Sequence, residues 1–343
     1  MQTGKRTGAK GSAAISNTQT HKVPRRRSLE KGNVGYLMIA PFIIFFLLFS
    51  LYPILNTIWL SFTDTTLMNI NDGKYNGTKN FQEIFKDRFF FQSISNTWKM
   101  WLMNFIPQLG ISMVLSVWFT SSFLKIKGIG LWRSLFYLPN LLLPVTVAVL
   151  FVNIFDLFGP ANQFFVSTGF LSEPYNYLRS KIFSQSIVAF IQWWMWYGNT
   201  IIILVAGMTS ISVSFYESAM IDGANGGKMF RYITLPSLRP ILVYTLVTSL
   251  VGGMQMFDIP FLISQQGDPD GSIKTMMTYM INKKNASVGF LGSSAAVGFC
   301  LLIITSVCSI LIFYLLRDRD AIAEKKARKI LQREQKLSSK AVR

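Results

Sequence analysis

Long stretches without a charged residue alternate along the chain with shorter segments where charge is concentrated. Six charge-free runs dominate: Gly32–Thr63, Met100–Leu124, Ser134–Phe155, Ile182–Tyr216, Pro240–Phe257 and Asn285–Leu316. The hydrocarbon core of a bilayer needs about 20 apolar residues at helical rise. All the runs but Pro240–Phe257 meet that length, and this one reaches it by continuing past Asp258 to Ser264. The pattern predicts six transmembrane helices. A membrane-spanning barrel requires short segments of alternating polarity, which this pattern lacks. The expected fold class is all-α and polytopic. Pro53, Pro107, Pro139, Pro144 and Pro260 fall within the runs, which predicts kinked helices around a cavity rather than a simple bundle.

Charge sets an expected orientation. Of the 34 Lys and Arg, 24 lie in the two tails and in the second and fourth loops, and 10 lie in the other three loops. The excess places both termini, the second loop (Lys125, Lys127, Arg133) and the fourth loop (Lys228, Arg231, Arg239) in the cytoplasm, with Asp64–Lys99 outside. The net charge of +18 raises the question of nucleic acid. The tails carry it as sparse Lys and Arg without interleaved aromatics, so retention on the inner side and attraction to anionic lipid are preferred, and no nucleic-acid partner is expected. Residues 1–33 read as a basic, disordered tail rather than a cleaved signal peptide, because the apolar run behind them is too long. In the basic tail 317–343, "AIAEKKARKILQREQKL" reads equally as a short surface helix or a solvated segment.

Several chemistries are set aside. The one histidine, His21, lies in the first tail, so no His-based metal site or triad is available. Cys300 and Cys308 share the last run and read as small apolar residues. The closest approach to a phosphate loop, "GANGGK" at Gly223–Lys228, has three residues rather than four before Gly-Lys, and Met229 stands where a Ser or Thr would hold magnesium. No catalytic or metal-binding residue is expected, and no cofactor in this chain.

Polar groups at membrane depth are the remaining candidates. Asp156 and Asp258 lie close to the outer ends of their runs, where contact with water is the preferred explanation. Gln192, Trp193, Trp194, Trp196 and Asn199 form a polar-aromatic cluster. Such a cluster reads as an interfacial aromatic belt, or as a sugar-binding surface on which rings stack and amides bond to hydroxyls. Gln192, Trp193, Trp196 and Asn199, with Gln255 and Asp258, are the candidate substrate path.

The fourth loop, residues 214–236, reads "SFYESAMIDGANGGKMFRYITLP". Ser214 and Glu217 have capping-box spacing, which predicts a helix starting near Phe215. Gly223 is placed to end it in a left-handed conformation. Asn225 is placed to cap a second helix with Met229, Phe230 and Ile233 on one apolar face, stopped by Pro236. Two short helices at an angle make either a connector lying on the membrane or a docking element for a cytoplasmic protein.

The pattern formed by Glu217, Ala219, Gly223, Ile233, Leu235 and Pro236 resembles the EAA loop of binding-protein-dependent ABC importer permeases. "IDGANGGKMFRYITLP" is similar to its form in the carbohydrate-uptake branch, the maltose-type and multiple-sugar permeases. The likeness extends to "SFTDTT", "KNFQEIFKDRFFFQSISNTW", "LWRSLFYLPNLLLPVTVAVLF" and "FDIPFLISQQGDP". Ser218 departs from the second Ala of the motif, and "SQQGDP" from the usual Thr-x-Gly-Gly-Pro. The resemblance implies a type I importer permease fold, with a first helix and outer loop (34–90) ahead of a core at 91–316. It implies that Glu217, Ala219, Asp222, Gly223, Ile233, Leu235 and Pro236 form the coupling surface for a separate ATPase. It also implies the partners: a second permease subunit, two ATPases holding ATP and magnesium, an extracellular solute-binding protein, a sugar and the lipid of the cell membrane. A secondary transporter stays open as an alternative, although no internal repeat is evident; a membrane enzyme lacks a nucleophile-base pair.

Overall fold

The computed structural model describes residues 33–70, 72–121, 124, 126–286, 288–316 and 331. The expectations for His21 and for the two basic tails lie outside these residues. Among the described residues, five helices are long and apolar enough to cross a membrane: Gly35–Leu60, Arg88–Thr120, Lys181–Thr209, Arg239–Ile263 and Leu291–Leu316. The pair Ile129–Leu141 and Pro144–Ile154, meeting at 87°, makes a sixth when taken as one bent span, and is numbered third in chain order. The chain divides into two compact units, Met1–Ile54 and Leu55–Arg343. Most of the first span belongs to the former.

Prolines shape these helices in different ways. In the first span, a π turn at Leu47–Leu51 lets the Tyr52 N–H bond to the Leu47 carbonyl. The wider turn accommodates Pro53, whose ring would otherwise meet the carbonyl four residues back. In the third span the residues ahead of Pro144 are extended, with Leu142 at φ −76°, ψ 143° and Leu143 at φ −68°, ψ 132°. Proline disfavours helical geometry in the residue before it, and here the chain takes the extended alternative, so the helix breaks. The Asn140 amide donates to the Met195 carbonyl at 3.2 Å, tying the break to the fourth span. Gly198 permits the same approach, since a Cβ there would lie 2.8 Å from the Phe136 carbonyl carbon and from Tyr137 Cα.

The second span begins at Arg88, well before the charge-free run, so a domain boundary at 90 falls inside it. Asp87 caps it, its carboxylate accepting from the Phe89 N–H at 2.9 Å. Arg88 and Lys99 hold exposed side chains on a continuous helix, which is why charge alone misplaces its start. At 33 residues the helix is about 50 Å long, far more than the hydrocarbon core needs.

Polar residues hold the second and fourth spans together. Gln108 Nε2 donates to Thr200 Oγ1 at 2.7 Å, Ser112 Oγ to the Tyr197 carbonyl at 2.9 Å, and Ser116 Oγ to the Ile201 carbonyl at 3.2 Å. Small hydroxyl residues at a helix interface let backbones approach and supply bonds that lipid cannot. The segment joining the fifth and sixth spans, which contains the departing "SQQGDP", is fastened to the starts of the second and fourth. Asn96 Nδ2 donates to the Gly271 carbonyl at 2.7 Å, Gln185 Nε2 to the Ser272 carbonyl at 2.7 Å, and Asp270 pairs with Lys181 at 2.6 Å. Cys300 and Cys308 are free, half-buried thiols in the last span.

Candidate functional site

The fifth span is interrupted where chemistry gathers. Its helix runs to Met254 and resumes at Asp258, with Gln255 and Phe257 outside helical geometry. Gly253 brings the first piece against the second span, because a Cβ there would lie 2.7 Å from Trp101 Cγ. Trp101 is stacked on Phe105 with 5.3 Å between ring centroids, and its indole N–H donates to Ser249 Oγ at 3.2 Å. The break, the second span and the fourth span together enclose a cavity of about 340 Å³.

Five of the six residues expected on a substrate path line this cavity: Gln192, Trp196, Asn199, Gln255 and Asp258. The first three stand at i, i+4 and i+7, one face of a helix. Trp193 does not join them. One position off that face, it lines a separate, apolar groove with Met103, Pro107 and Phe190, and its ring packs 5.5 Å from Tyr197. Trp194 packs against Phe151 at 5.8 Å. Asp156 lies in the turn after the third span, exposed and away from the cavity lining.

The cavity also holds residues that the sequence reading missed. Asn104 and Gln108 come from the second span, Thr200 from the fourth, and Thr245, Thr248 and Ser249 from the fifth. Their signal was present: Asn104, Gln108, Ser112, Ser116 and Thr120 recur every fourth residue, a polar stripe within an uncharged run. Asn104 is 6% exposed and its side chain bonds to no other described residue, while the Thr245 hydroxyl is unpartnered but fully enclosed. An unmet buried amide or hydroxyl costs about 1–3 kcal/mol. The Asn104 amide, which lines the cavity, is available to a polar ligand.

The second candidate element joins the fourth and fifth spans. Its first helix is Val213–Ile221, with Ser212 rather than Ser214 at the N-cap. No capping box forms; Ser214 Oγ bonds instead to Ser212 Oγ at 2.8 Å. The helix ends as expected, with Gly223 at φ +75°. The Ala224 N–H bonds to the Ala219 carbonyl at 2.8 Å and the Gly223 N–H to the Met220 carbonyl at 3.1 Å, the paired closure of a left-handed C-cap. Asn225 then caps the second helix, its side chain accepting from the Lys228 N–H at 2.9 Å.

Pro236 does not stop that helix. A π turn at Phe230–Thr234 precedes it, the Leu235 N–H bonding to the Phe230 carbonyl, and the helix continues through Ser237. This is the device used before Pro53. Tyr216 Oη bonds to Thr234 Oγ1 at 2.9 Å and locks the two short helices together. Met229 is buried, Ile233 half-buried and Leu235 exposed. Glu217 and Asp222 are exposed and form no ion pair with another described residue, and Ile221 is 87% exposed. An acid and a large apolar side chain side by side on a rigid elbow suit contact with another protein.

Broken spans around a polar cavity, joined to an exposed helical elbow, define a multi-pass membrane permease. The chain belongs to the binding-protein-dependent transport system inner membrane component family, whose model matches residues 97–320. It is 28% identical over 286 residues to the lactose transport system permease protein LacF of Rhizobium radiobacter, covering 83% of this chain and 94% of that protein. It is 28% identical over 278 residues to the arabinooligosaccharides transport system permease protein AraP of Bacillus subtilis (strain 168), covering 80% and 86%. Among solved structures, the fold matches a bacterial ABC transporter involved in the import of the acidic polysaccharide alginate. That match has a TM-score of 0.68 at 22% identity, over 83% of this chain and 95% of the other. The fold is that of a type I ABC importer permease, and the chain is a transport component, not an enzyme.

Proposed function

We propose that this chain is one transmembrane half of an ATP-driven importer of sugars, chiefly oligosaccharides, delivered by an extracellular solute-binding protein. The observation that carries this reading is the cavity at the break of the fifth span. There Trp196 offers an aromatic face and Asn104, Gln192, Asn199 and Gln255 offer amides without a protein partner. Sugars present just this pairing of C–H faces and hydroxyls. The names of the lactose and arabinooligosaccharide relatives support the same class of cargo.

A second permease half completes the pathway, and two ATPases hold ATP and magnesium on the cytoplasmic side. The elbow at 213–237 is the coupling surface, with Glu217, Ala219, Asp222, Gly223, Ile233, Leu235 and Pro236 on or behind its contact face. Both tails and the elbow are cytoplasmic, in keeping with the distribution of Lys and Arg. The test is ATP hydrolysis and uptake by the full complex in vesicles, with its binding protein and a panel of oligosaccharides. One sugar of the panel is expected to stimulate hydrolysis. Trp196→Ala and Asn199→Ala are each expected to lower uptake at least tenfold while the complex still assembles. Unchanged uptake across the whole cluster overturns the assignment of the cavity.

A further inference from the structure

The cavity contains several ways to meet a hydroxyl and one formal charge. Of the residues lining it, Asp258 alone is charged, and no Lys or Arg is among them. Asp258 opens the second piece of the broken span and forms no ion pair with another described residue. Four cations of the adjoining segments are engaged elsewhere. Lys181 and Arg88 pair with Asp270 at 2.6 and 3.5 Å, Lys283 pairs with Asp87 at 3.0 Å, and Lys274 Nζ sits 4.3 Å over the Phe89 ring.

We propose that Asp258 makes the cavity a charge filter: uncharged oligosaccharides are accepted and sugar acids are repelled. The proposal rests on the sugar reading above and narrows it to a substrate class. Two features support it. The groups left free for a ligand, including the amides of Asn104, Gln192 and Asn199, are neutral donors and acceptors, suited to hydroxyls and unable to neutralise a carboxylate. A carboxylate brought in with the cargo would have the exposed Asp258 as its charged neighbour. At roughly 6 Å and an effective dielectric of about 20, repulsion between two unit charges corresponds to about a hundredfold in affinity.

The experiment measures equilibrium binding to the full permease–ATPase complex without the solute-binding protein, so that selection upstream plays no part. The probes are maltotriose and galactotriose, each against its C6-oxidised uronate, which differs only in that group. Wild type is expected to prefer the neutral member of a pair at least tenfold. Asp258→Asn should narrow the ratio to within about threefold, and Asp258→Lys should invert it. Because each ratio is internal to one protein, a general loss of stability does not imitate the result. Equal or tighter uronate binding by wild type, or an unchanged ratio in Asp258→Asn, overturns the filter and leaves the sugar reading standing. Failure of all four probes to bind overturns both.

Discussion

Gly223 allows the coupling reading to be tested by an amount that the structure sets. It closes the first helix of the elbow at φ +75°, a conformation in which a side chain is strained. A Cβ at this position meets nothing within 4 Å. Bulk inside this chain is therefore not the obstacle, contrary to the simple expectation for a tight turn. The cost of Gly223→Ala reduces to backbone strain of about 1–2 kcal/mol. That corresponds to a factor of about 5–30 in the population of the closed turn. Asn tolerates the left-handed region, so Gly223→Asn should retain most of the closure although its side chain is larger. Copurification of the ATPase in mild detergent, titrated against complex concentration, reads the effect directly. Association should weaken about 5- to 30-fold for Gly223→Ala and stay within about threefold of wild type for Gly223→Asn, with uptake following the same order. If Ala associates as tightly as wild type, or Asn falls as low as Ala, backbone conformation does not control this contact.

Three further outcomes are expected. Gly198→Val should destabilise the assembled protein by several kcal/mol, read as lower thermal stability in detergent, because its side chain would enter the Phe136–Tyr137 backbone. The fastening of 276–284 to Asp87 should loosen in acid. Burial pulls the Asp87 carboxyl upward, but hydrogen bonds from Tyr279, Lys283 and the Phe89 N–H outweigh it and hold its pKa below the ordinary 3.8. A carboxylate depressed in the folded state stabilises above its ordinary value and loses that contribution as pH falls through the folded value. Amide exchange in 276–284 should thus accelerate only below about pH 4, and Asp87→Asn should abolish that dependence. A cysteine placed at Asn225, in a background lacking Cys300 and Cys308, should resist an impermeant thiol reagent in intact cells and react in inverted vesicles; labelling in intact cells would reverse the topology.

Runs of uncharged residues located the spans because a bilayer core requires them, but where a helix begins outside the bilayer is a different question. Arg88 and Lys99 broke the pattern without breaking the helix, since a span longer than the bilayer is free to expose them. Pro139 and Pro144 pointed to a bend, while its 87° depends on where Asn140 and Gly198 let the halves rest on the fourth span. The elbow was largely legible because its punctuation is local: Gly223 and Asn225 act within a few residues. Ser214 failed as a cap because Ser212, two residues earlier, had the extended backbone that the role needs. Within the cavity, Gln192, Trp196 and Asn199 were found because aromatics and amides stand out together. Asn104 and Gln108 were passed over because an isolated amide does not interrupt an apolar run, although their spacing gave them away.

The π turn at Phe230–Thr234 acts on helical phase. Successive residues of an α-helix are rotated about 100° from one another. A turn that takes in one residue more offsets everything downstream by about that angle relative to an unbroken helix. The residues of 226–229 and those from Leu235 onward therefore follow separate angular patterns, and Met229 and Leu238 are both buried although no single helical wheel unites them. Removing one residue from 230–234, together with Pro236→Ala, would restore a plain α-turn. It would also swing the elbow about the axis of the fifth span, presenting Glu217 and Ile221 in a new direction while leaving the hydrophobic length of that span unchanged.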